Sequence, residues 1–409
     1  MNRAHTRVQR QTKAIRPLTE FRTAVSLHSH TFHSKENLNF LPHYIEFLQT
    51  GIVTRMLQSG LKRYKDIIGH SLDFNRAYWT PPVTPGMVLA SETQQIERKL
   101  GLAPIVSITD HDTIDGPLNL REQPAAAPTP VSVEWTVPFA GSIFHIGVHH
   151  LPPDRAVEIM KELSLATAEP AGERVRDLLA LLNQCPDTLL VFNHPMQNIA
   201  WAERSEYLTT LRQFLALCQP WIHALEFNGM RSRTENQDVL CMAEEYDLPV
   251  VAGGDRHGCR PNTVLNLSRE GTWSDFVATI REERRNAILS LPAYEEPAPL
   301  RELATASDVL RRYPNYPYGQ RRFTDRLFFN LEGYGWHPFS FYWDGGNGKP
   351  MWLTPAVAAV IALGSEHLRP ILGWFLSRNA QFDRATLSLG EDQAGGELSE
   401  RAEVSVESE

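Results

Sequence analysis

The stretch Thr23-Ala-Val-Ser-Leu-His-Ser-His30 places two histidines at the end of an apolar run. Side chains two residues apart on a β-strand point to the same side, so His28 and His30 can reach one ion together if this stretch is extended. A single histidine at a strand end is usually a satisfied core or surface residue. The pair becomes informative only if other parts of the chain repeat the arrangement.

The arrangement does recur along the chain. Twelve of the fifteen histidines lie between residues 28 and 257. Apolar runs lead into the polar groups Asp110-His111-Asp112, His194 and Asp255-Arg-His257, and His145 follows another such run. Parallel strands present their carboxyl ends at one face of an α/β fold, where functional groups gather. Histidine and carboxylate clusters at these positions predict a multinuclear metal site and a metal-dependent hydrolase.

With this pattern the chain resembles the PHP (polymerase and histidinol phosphatase) family of metallohydrolases. The resemblance covers about residues 24 to 290. Its segments, in chain order, are His28-Ser-His30-Thr, Ile108-Thr-Asp-His-Asp-Thr113, Val133-Glu134-Trp, Phe144-His145-Ile-Gly, Asn193-His194-Pro, Leu225-Glu-Phe-Asn-Gly229 and Gly254-Asp-Arg-His257. The resemblance implies an α/β fold, a distorted seven-stranded (β/α)7 barrel. It also implies two or three transition-metal ions that hydrolyse phosphate esters with a metal-bound hydroxide.

The resemblance also implies a set of metal ligands. One ion would be held by His28, His30, Glu134 and Asp255, and Glu134 would bridge to a second ion held by His145 and His194. A third site would use His111 and His257 with an aspartate from the first loop.

The chain departs from the family pattern at that aspartate, where it has Lys35. A protonated lysine cannot bind a cation, so either Glu36 or His33 replaces it or the third site is empty. We favour two ions at this stage. Manganese, iron and zinc all suit mixed histidine and carboxylate ligands.

The candidate catalytic residues are His257, His111 and Asp255. His257 is the candidate general acid, because an imidazole is partly protonated at neutral pH; the alternative is plain metal ligation. His149 is expected to line the mouth of the site, and His150 to face away.

The candidate substrate-binding residues are cations near the strand ends. Lys35 could pair with a phosphate or point into solvent. Arg231, Arg256 and Arg260 could clamp a phosphate, although surface salt bridges are the commoner fate of arginine.

Composition limits the remaining possibilities. The 409 residues carry a net charge of −8, with 42% hydrophobic and 22% charged residues, as in ordinary globular proteins. Cys185, Cys218, Cys241 and Cys259 are far apart without C-x-x-C spacing, which favours a reducing, cytoplasmic location. The apolar run 355–376 is interrupted by charged residues, so no membrane span is expected.

The domain organisation follows from charge, periodicity and proline content. We expect a basic arm (1–22), the barrel domain (23–290) with a helical insertion at about 37–82, a proline-rich linker (291–299), a mostly helical accessory module (300–388) and an acidic disordered tail (389–409).

These features together predict a phosphoesterase that acts on a small phosphorylated metabolite or nucleotide. Hydrolysis of a non-phosphate bond, such as a cyclic amide or ester, and a non-catalytic metal-binding scaffold remain alternatives. Nucleic acid is not an expected partner, because no basic stripe runs along the chain. The oligomeric state is left open.

Overall fold

The structure is a computed structural model. It describes residues 3–11, 18–39, 41, 58–62, 64–66, 69, 71–123, 126, 128–313, 315–316, 319–331, 335–343, 351 and 353–378. Much of the first half of the expected insertion (about 37–82) and the expected acidic tail (389–409) lie outside these residues.

A large mixed sheet forms the centre of the molecule. Its strands are β1 (His5–Arg10), β2 (Thr23–Ser29), β5 (Ala103–Val106), β6 (Val133–Phe139), β7 (Ser142–His149), β8 (Leu189–Asn193), β9 (Ala224–Asn228), β10 (Val250–Arg256), β11 (Val264–Ser268) and β12 (Arg285–Ser290). Strands β2, β8, β9, β10 and β11 are buried along their whole length. Continuous burial explains why these strands read as apolar runs rather than as alternating patterns.

The strand pairings connect seven strands in series. Strand β2 pairs in parallel with both β5 and β10, and the order continues from β10 through β9, β8 and β7 to β6. Two isolated bridges, Ile108–Val131 and His111–Glu134, link the segment after β5 to β6 and to the residues just before it. Strands β11, β12 and β1 extend the sheet beyond β2.

Helices alternate with the later strands. They are α1 (Pro85–Gln95), α2 (Asp115–Arg121), α3 (Ala156–Ala168), α4 (Gly172–Asn183), α5 (Arg204–Cys218), α6 (Arg233–Glu245), α7 (Trp273–Arg281), α8 (Ala298–Leu310), α9 (Leu353–Leu363) and α10 (Arg369–Arg378). Helix α1 begins as the sequence indicates: Thr84 accepts a hydrogen bond from the backbone of Met87, and Pro85 occupies the first helical position. A capping box formed by Ser232 and Glu235 starts α6.

The main hydrophobic core lies between the sheet and helices α3 to α6. Phe144, Phe192 and Phe214 pack there with ring centroids 4.4 to 5.6 Å apart. Such large apolar side chains supply most of the burial that holds the helices against the strands.

A second, four-stranded sheet joins two distant parts of the chain. Its strands are β3 (Glu36–Asn37), β4 (Ala77–Trp79), β13 (Leu327–Leu331) and β14 (Gly335–Pro338), in the order β14-β13-β4-β3. The expected insertion at about 37–82 and the expected module at 300–388 therefore share one sheet. Both regions were predicted to be separate and mostly helical. The pairing could not be predicted from the sequence, because strands of two to five residues are too short to show an alternating hydrophobic pattern.

Two other expected boundaries differ from the structure. Residues His5–Arg10 of the expected basic arm form β1, which pairs in parallel with β12. In the expected linker, Pro292–Glu295 form a 3₁₀ turn, and α8 already begins at Ala298. The apolar run 355–376 divides between α9 and α10, and among the described helices none is both long and apolar enough to cross a membrane.

Candidate metal centre

Three candidate ligands sit where the backbone leaves regular strand geometry. His28, His194 and Asp255 have φ angles of 63°, 28° and 52°. Positive φ is costly for residues other than glycine and occurs where the surrounding structure imposes it, often at functional sites. These three residues adopt it at or beside strand ends, where the polar clusters were predicted.

The first donor group lies at the end of β2. Nε2 of His28 and Nε2 of His30 are 3.1 Å apart. Both nitrogens face Oε2 of Glu134, at 3.1 and 3.3 Å, and Oδ1 of Asp255, at 3.5 Å each. His28, His30 and Glu134 are fully buried, so this group forms the floor of the centre.

The second donor group lies on the other side of Glu134. Its Oε1 is 3.2 Å from Nδ1 of His145 and 3.0 Å from Nε2 of His194. Nε2 of His111 is 3.3 Å from the Oε2 atom. Glu134 is therefore flanked by imidazoles on both carboxylate oxygens, which is the arrangement expected of a bridging ligand.

Glu36 completes a third donor group. Its Oε2 lies 3.1 Å from Nε2 of His257 and 3.3 Å from Nε2 of His111, and His30 is in the same group. His33, the other residue considered for this role, accepts a hydrogen bond from Asn119 instead. Glu36, the neighbour of Lys35, thus places a carboxylate beside these histidines.

The charges of the centre favour cations. Burial opposes the charged form of His28, but Glu134, Glu226 and Asp255 together raise its pKa well above the ordinary value. Burial opposes ionisation of Glu134 too, yet the surrounding histidines hold its pKa well below the usual range. His145 is the exception, because burial lowers its pKa to about 4. The centre therefore keeps ionised carboxylates at neutral pH, and protons and divalent cations would compete for its imidazole nitrogens.

One orphaned atom tests whether metal ions fit. Oε2 of Glu134 is buried without a hydrogen-bond partner in the described structure, although three imidazole nitrogens lie within 3.3 Å of it. A buried carboxylate oxygen without a partner is costly. A cation between this oxygen and the nitrogens would satisfy all of them, so the donor set fits divalent transition metals.

A second layer of residues orients the donors. Oε1 of Glu226 lies 2.5 Å from Nδ1 of His28, and its Oε2 accepts hydrogen bonds from the backbone of His194 and from Asn228. Asn193 donates to Oε1 of Glu134 at 2.9 Å. Glu226 was not among the residues predicted for the site, although it lies in one of the segments that carry the family resemblance. Its position in the middle of a buried strand is the signal that could have identified it.

Ser34 organises the first loop. Its hydroxyl lies 2.6 Å from Glu36 and 3.2 Å from Nδ1 of His30, and it accepts a hydrogen bond from the backbone of His111. It therefore ties three members of the third donor group together. Ser34 was not among the residues predicted for the site.

Two of the three predicted substrate arginines, Arg256 and Arg260, are ion-paired within the chain. Arg256 is buried and ion-paired with Glu92 at 2.5 Å, so it has no exposed guanidinium to offer a substrate. Arg260 pairs with Asp308 and Glu366 of the C-terminal module. The backbone carbonyl of Arg231 accepts a hydrogen bond from Arg301.

Lys35 follows the second of its two expected alternatives, whereas His149 differs from expectation. Lys35 is exposed, with its ammonium 5.5 Å from the ring centroid of Tyr78 rather than directed into the donor groups. His149 does not line the mouth: it is buried, with Nδ1 2.8 Å from the hydroxyl of Ser107, and burial lowers its pKa to about 3. His150 stacks on Trp273.

No known family profile matches the chain, and no curated protein matches it. Solved structures that match part of the chain include a provisionally named metal-dependent phosphoesterase from Bifidobacterium adolescentis, PsfC from Pseudomonas syringae and an amidohydrolase from Chromobacterium violaceum. Their identities to this chain are 18%, 16% and 14%, with TM-scores of 0.30, 0.36 and 0.31. The matches cover 49%, 51% and 44% of this chain and 91%, 84% and 84% of the others, and they assign it neither a family nor an activity.

Proposed function

We propose that the chain is a metal-dependent hydrolase, and specifically a phosphoesterase that releases phosphate from a small phosphorylated molecule. The observation that carries the proposal is the position of Glu134, whose two carboxylate oxygens each face imidazole nitrogens of a different donor group. The proposal includes the fold: the series of seven paired strands, with the two isolated bridges between its ends, would be the distorted barrel that the resemblance to PHP proteins implies.

The residues of the three groups would hold two or three divalent ions. Such ions lower the pKa of water and neutralise charge on a phosphoryl group during hydrolysis. His28, His30 and Glu134 would form the closed floor, and Asp255 would add a further carboxylate. The chain contributes fixed ligand positions, so little reorganisation is needed when charge develops.

The open side of the centre indicates where a substrate would approach. The side chains of His111, His145 and His257 are 15%, 11% and 18% exposed, whereas those of His28, His30 and Glu134 are closed to solvent. Trp79, whose ring centroid is 5.8 Å from that of His257, borders this opening. The phosphoryl group would therefore enter past Trp79, and the rest of the substrate would lie outside.

The role of His257 in this proposal depends on how many ions are bound. Its Nδ1 lies 2.9 Å from the carbonyl of Asp255, which leaves Nε2 directed at Glu36. With the third group filled, His257 would be a ligand and could not donate a proton. With only two groups filled, the His257–Glu36 pair would hold a proton beside the opening, as a general acid requires.

A phosphate-release screen tests the proposal. Purified protein supplied with manganese, iron or zinc is assayed for phosphate release from monoesters and for release of the alcohol from diesters, beside a His194→Ala variant and a His5→Ala control on strand β1. We expect release by the wild type and the control, and its loss together with bound metal in His194→Ala. Hydrolysis of amides or lactones without phosphate release would overturn the phosphoesterase assignment, and bound metal without any turnover would favour a scaffold.

A further inference from the structure

The carboxylate that completes the third donor group lies on a very short strand. Strand β3 consists of Glu36 and Asn37 and is the edge of the second sheet. Its described pairing partner is β4, where Glu36 lies opposite Trp79. A two-residue edge strand has little stability of its own, so its position depends on what holds β4.

Strand β4 is held by the C-terminal module. Trp79 lies opposite Leu327 of β13 in an antiparallel pairing that continues through Phe328 and Phe329. The next residue, Thr80, donates a backbone hydrogen bond of 2.9 Å to the carbonyl of Arg326. Strand β13 lies between β14 and β4 and so joins the module to the segment that carries Glu36 and Trp79.

A small hydrophobic core stabilises this junction. Phe329 is 3% exposed and belongs to a cluster of residues from both segments. The buried members are Leu38, Tyr64, Ala77, Phe329 and Phe339. Leu38 follows β3 directly, so the packing of Phe329 acts on the same short segment that presents Glu36.

The module also contacts the loop after His257. Asp308 of α8 lies 3.7 Å from Arg260, and the hydroxyl of Tyr316 donates to the carbonyl of Pro81. The buried guanidinium of Arg326 stacks on the ring of Tyr316 with a separation of 4.8 Å. Two of the four donors in the third group, Glu36 and His257, thus lie beside segments that the module contacts.

We propose that the C-terminal module is part of the metal centre: β13 positions β4 and β3, and through them Glu36, so that the third donor group forms only when this junction is packed. Phe329 is then a positioning residue that acts through Glu36. This inference rests on the proposed function for its metal ions. It gives the region after residue 300 a role in the site itself rather than beside it.

The experiment measures metal content per chain by elemental analysis, alongside thermal unfolding. Glu36→Gln weakens a ligand of the third site, and Phe329→Ala leaves a cavity in the small core of the junction. Phe214→Ala is the matched control, because it makes the same change in the main core. We expect both Glu36→Gln and Phe329→Ala to hold one ion fewer than the wild type, the double variant to lose no more, and Phe214→Ala to keep the full content despite a lower melting temperature.

Two results would overturn the inference, and they differ from each other. Full metal content in Phe329→Ala with a loss in Glu36→Gln would show that the module does not position the glutamate. Wild-type metal content in Glu36→Gln would show that the third donor group binds no ion, and this result would not depend on whether the first and second donor groups support activity. If Phe329→Ala does not fold, Phe329→Leu replaces it, and the affinity for the last ion is expected to fall less but in the same direction.

Discussion

The carboxylate of Glu226 lies 2.5 Å from Nδ1 of His28 and accepts the backbone hydrogen bond of His194 on its other oxygen. The side chain of Glu226 thereby orients the imidazole of His28, in the first donor group, and holds the backbone of His194, in the second. When His28 is neutral, the carboxylate holds the proton on Nδ1, so Nε2 keeps the lone pair that a metal ion needs.

Glu226→Gln is expected to weaken metal binding by about 10- to 100-fold, the usual effect of losing such an outer partner. The amide NH2 of the new glutamine would face the N–H groups of His194 and Asn228, which are themselves donors, so these hydrogen bonds would be lost. Chelator competition measures the affinity, and Glu158→Gln on the exposed face of α3 is the control. Unchanged affinity in Glu226→Gln would mean that this contact does not orient His28.

Gly253→Ala is expected to reduce metal affinity in the same way. A Cβ at this position would lie 1.6 Å from Oε1 and 2.9 Å from Cγ of Glu226, so the whole carboxylate would have to move. Gly271→Ala, where a Cβ meets nothing within 4 Å, is the control. The same competition assay applies, and wild-type affinity in Gly253→Ala would contradict the close approach.

Arg256→Ala is expected to destabilise the protein by about 3–5 kcal/mol, because it leaves the buried carboxylate of Glu92 without its cation. Urea denaturation gives the free energy of unfolding. Replacing both residues with methionine should cost less than the sum of the single changes. A fully stable Arg256→Ala with a raised KM would restore the original prediction that Arg256 binds substrate.

His223 directly precedes β9, at the end of the strand opposite the donors. It is expected to make the stability of the protein depend on pH. It is largely buried, accepts the backbone hydrogen bond of Leu190 and contacts Asn183, and burial lowers its pKa to about 3. Its folded pKa lies below the unfolded value, so its stabilising contribution is present above about pH 6.5 and is lost as pH falls toward 3.

The stability advantage of the wild type over His223→Asn is therefore expected to shrink between pH 6 and pH 4.5, by at most about 1.4 kcal/mol for each pH unit. Urea titrations of both proteins at several pH values measure it. A constant difference would show that His223 carries a proton in the folded protein at neutral pH, or that it titrates alike in both states.

The sequence places several of the candidate donors after apolar runs, which predict buried strands. His28, Asp255 and His194 lie at or beside ends of buried strands, as that pattern predicts. His145 and Glu134 depart from it: they lie within β7 and near the start of β6, which pair in antiparallel fashion. Local patterns located the residues but not the direction of these two strands.

Glu36 and Arg256 show what the sequence could not supply. Two residues near Lys35 could have replaced the missing aspartate, and the choice depends on a strand pairing with β13 from the far end of the chain. Arg256 lies between two donors in the sequence, which suggested a phosphate clamp, but its partner Glu92 comes from α1. Long-range pairings of this kind leave no trace in local spacing.

The most direct test of the account is anomalous diffraction from crystals of the protein grown with manganese, iron or zinc, recorded above and below the absorption edge of the metal. The account predicts separate peaks at the first and second donor groups, one on each side of Glu134, and a third between Glu36, His111 and His257. Absence of anomalous density on both sides of Glu134 at saturating metal would contradict it.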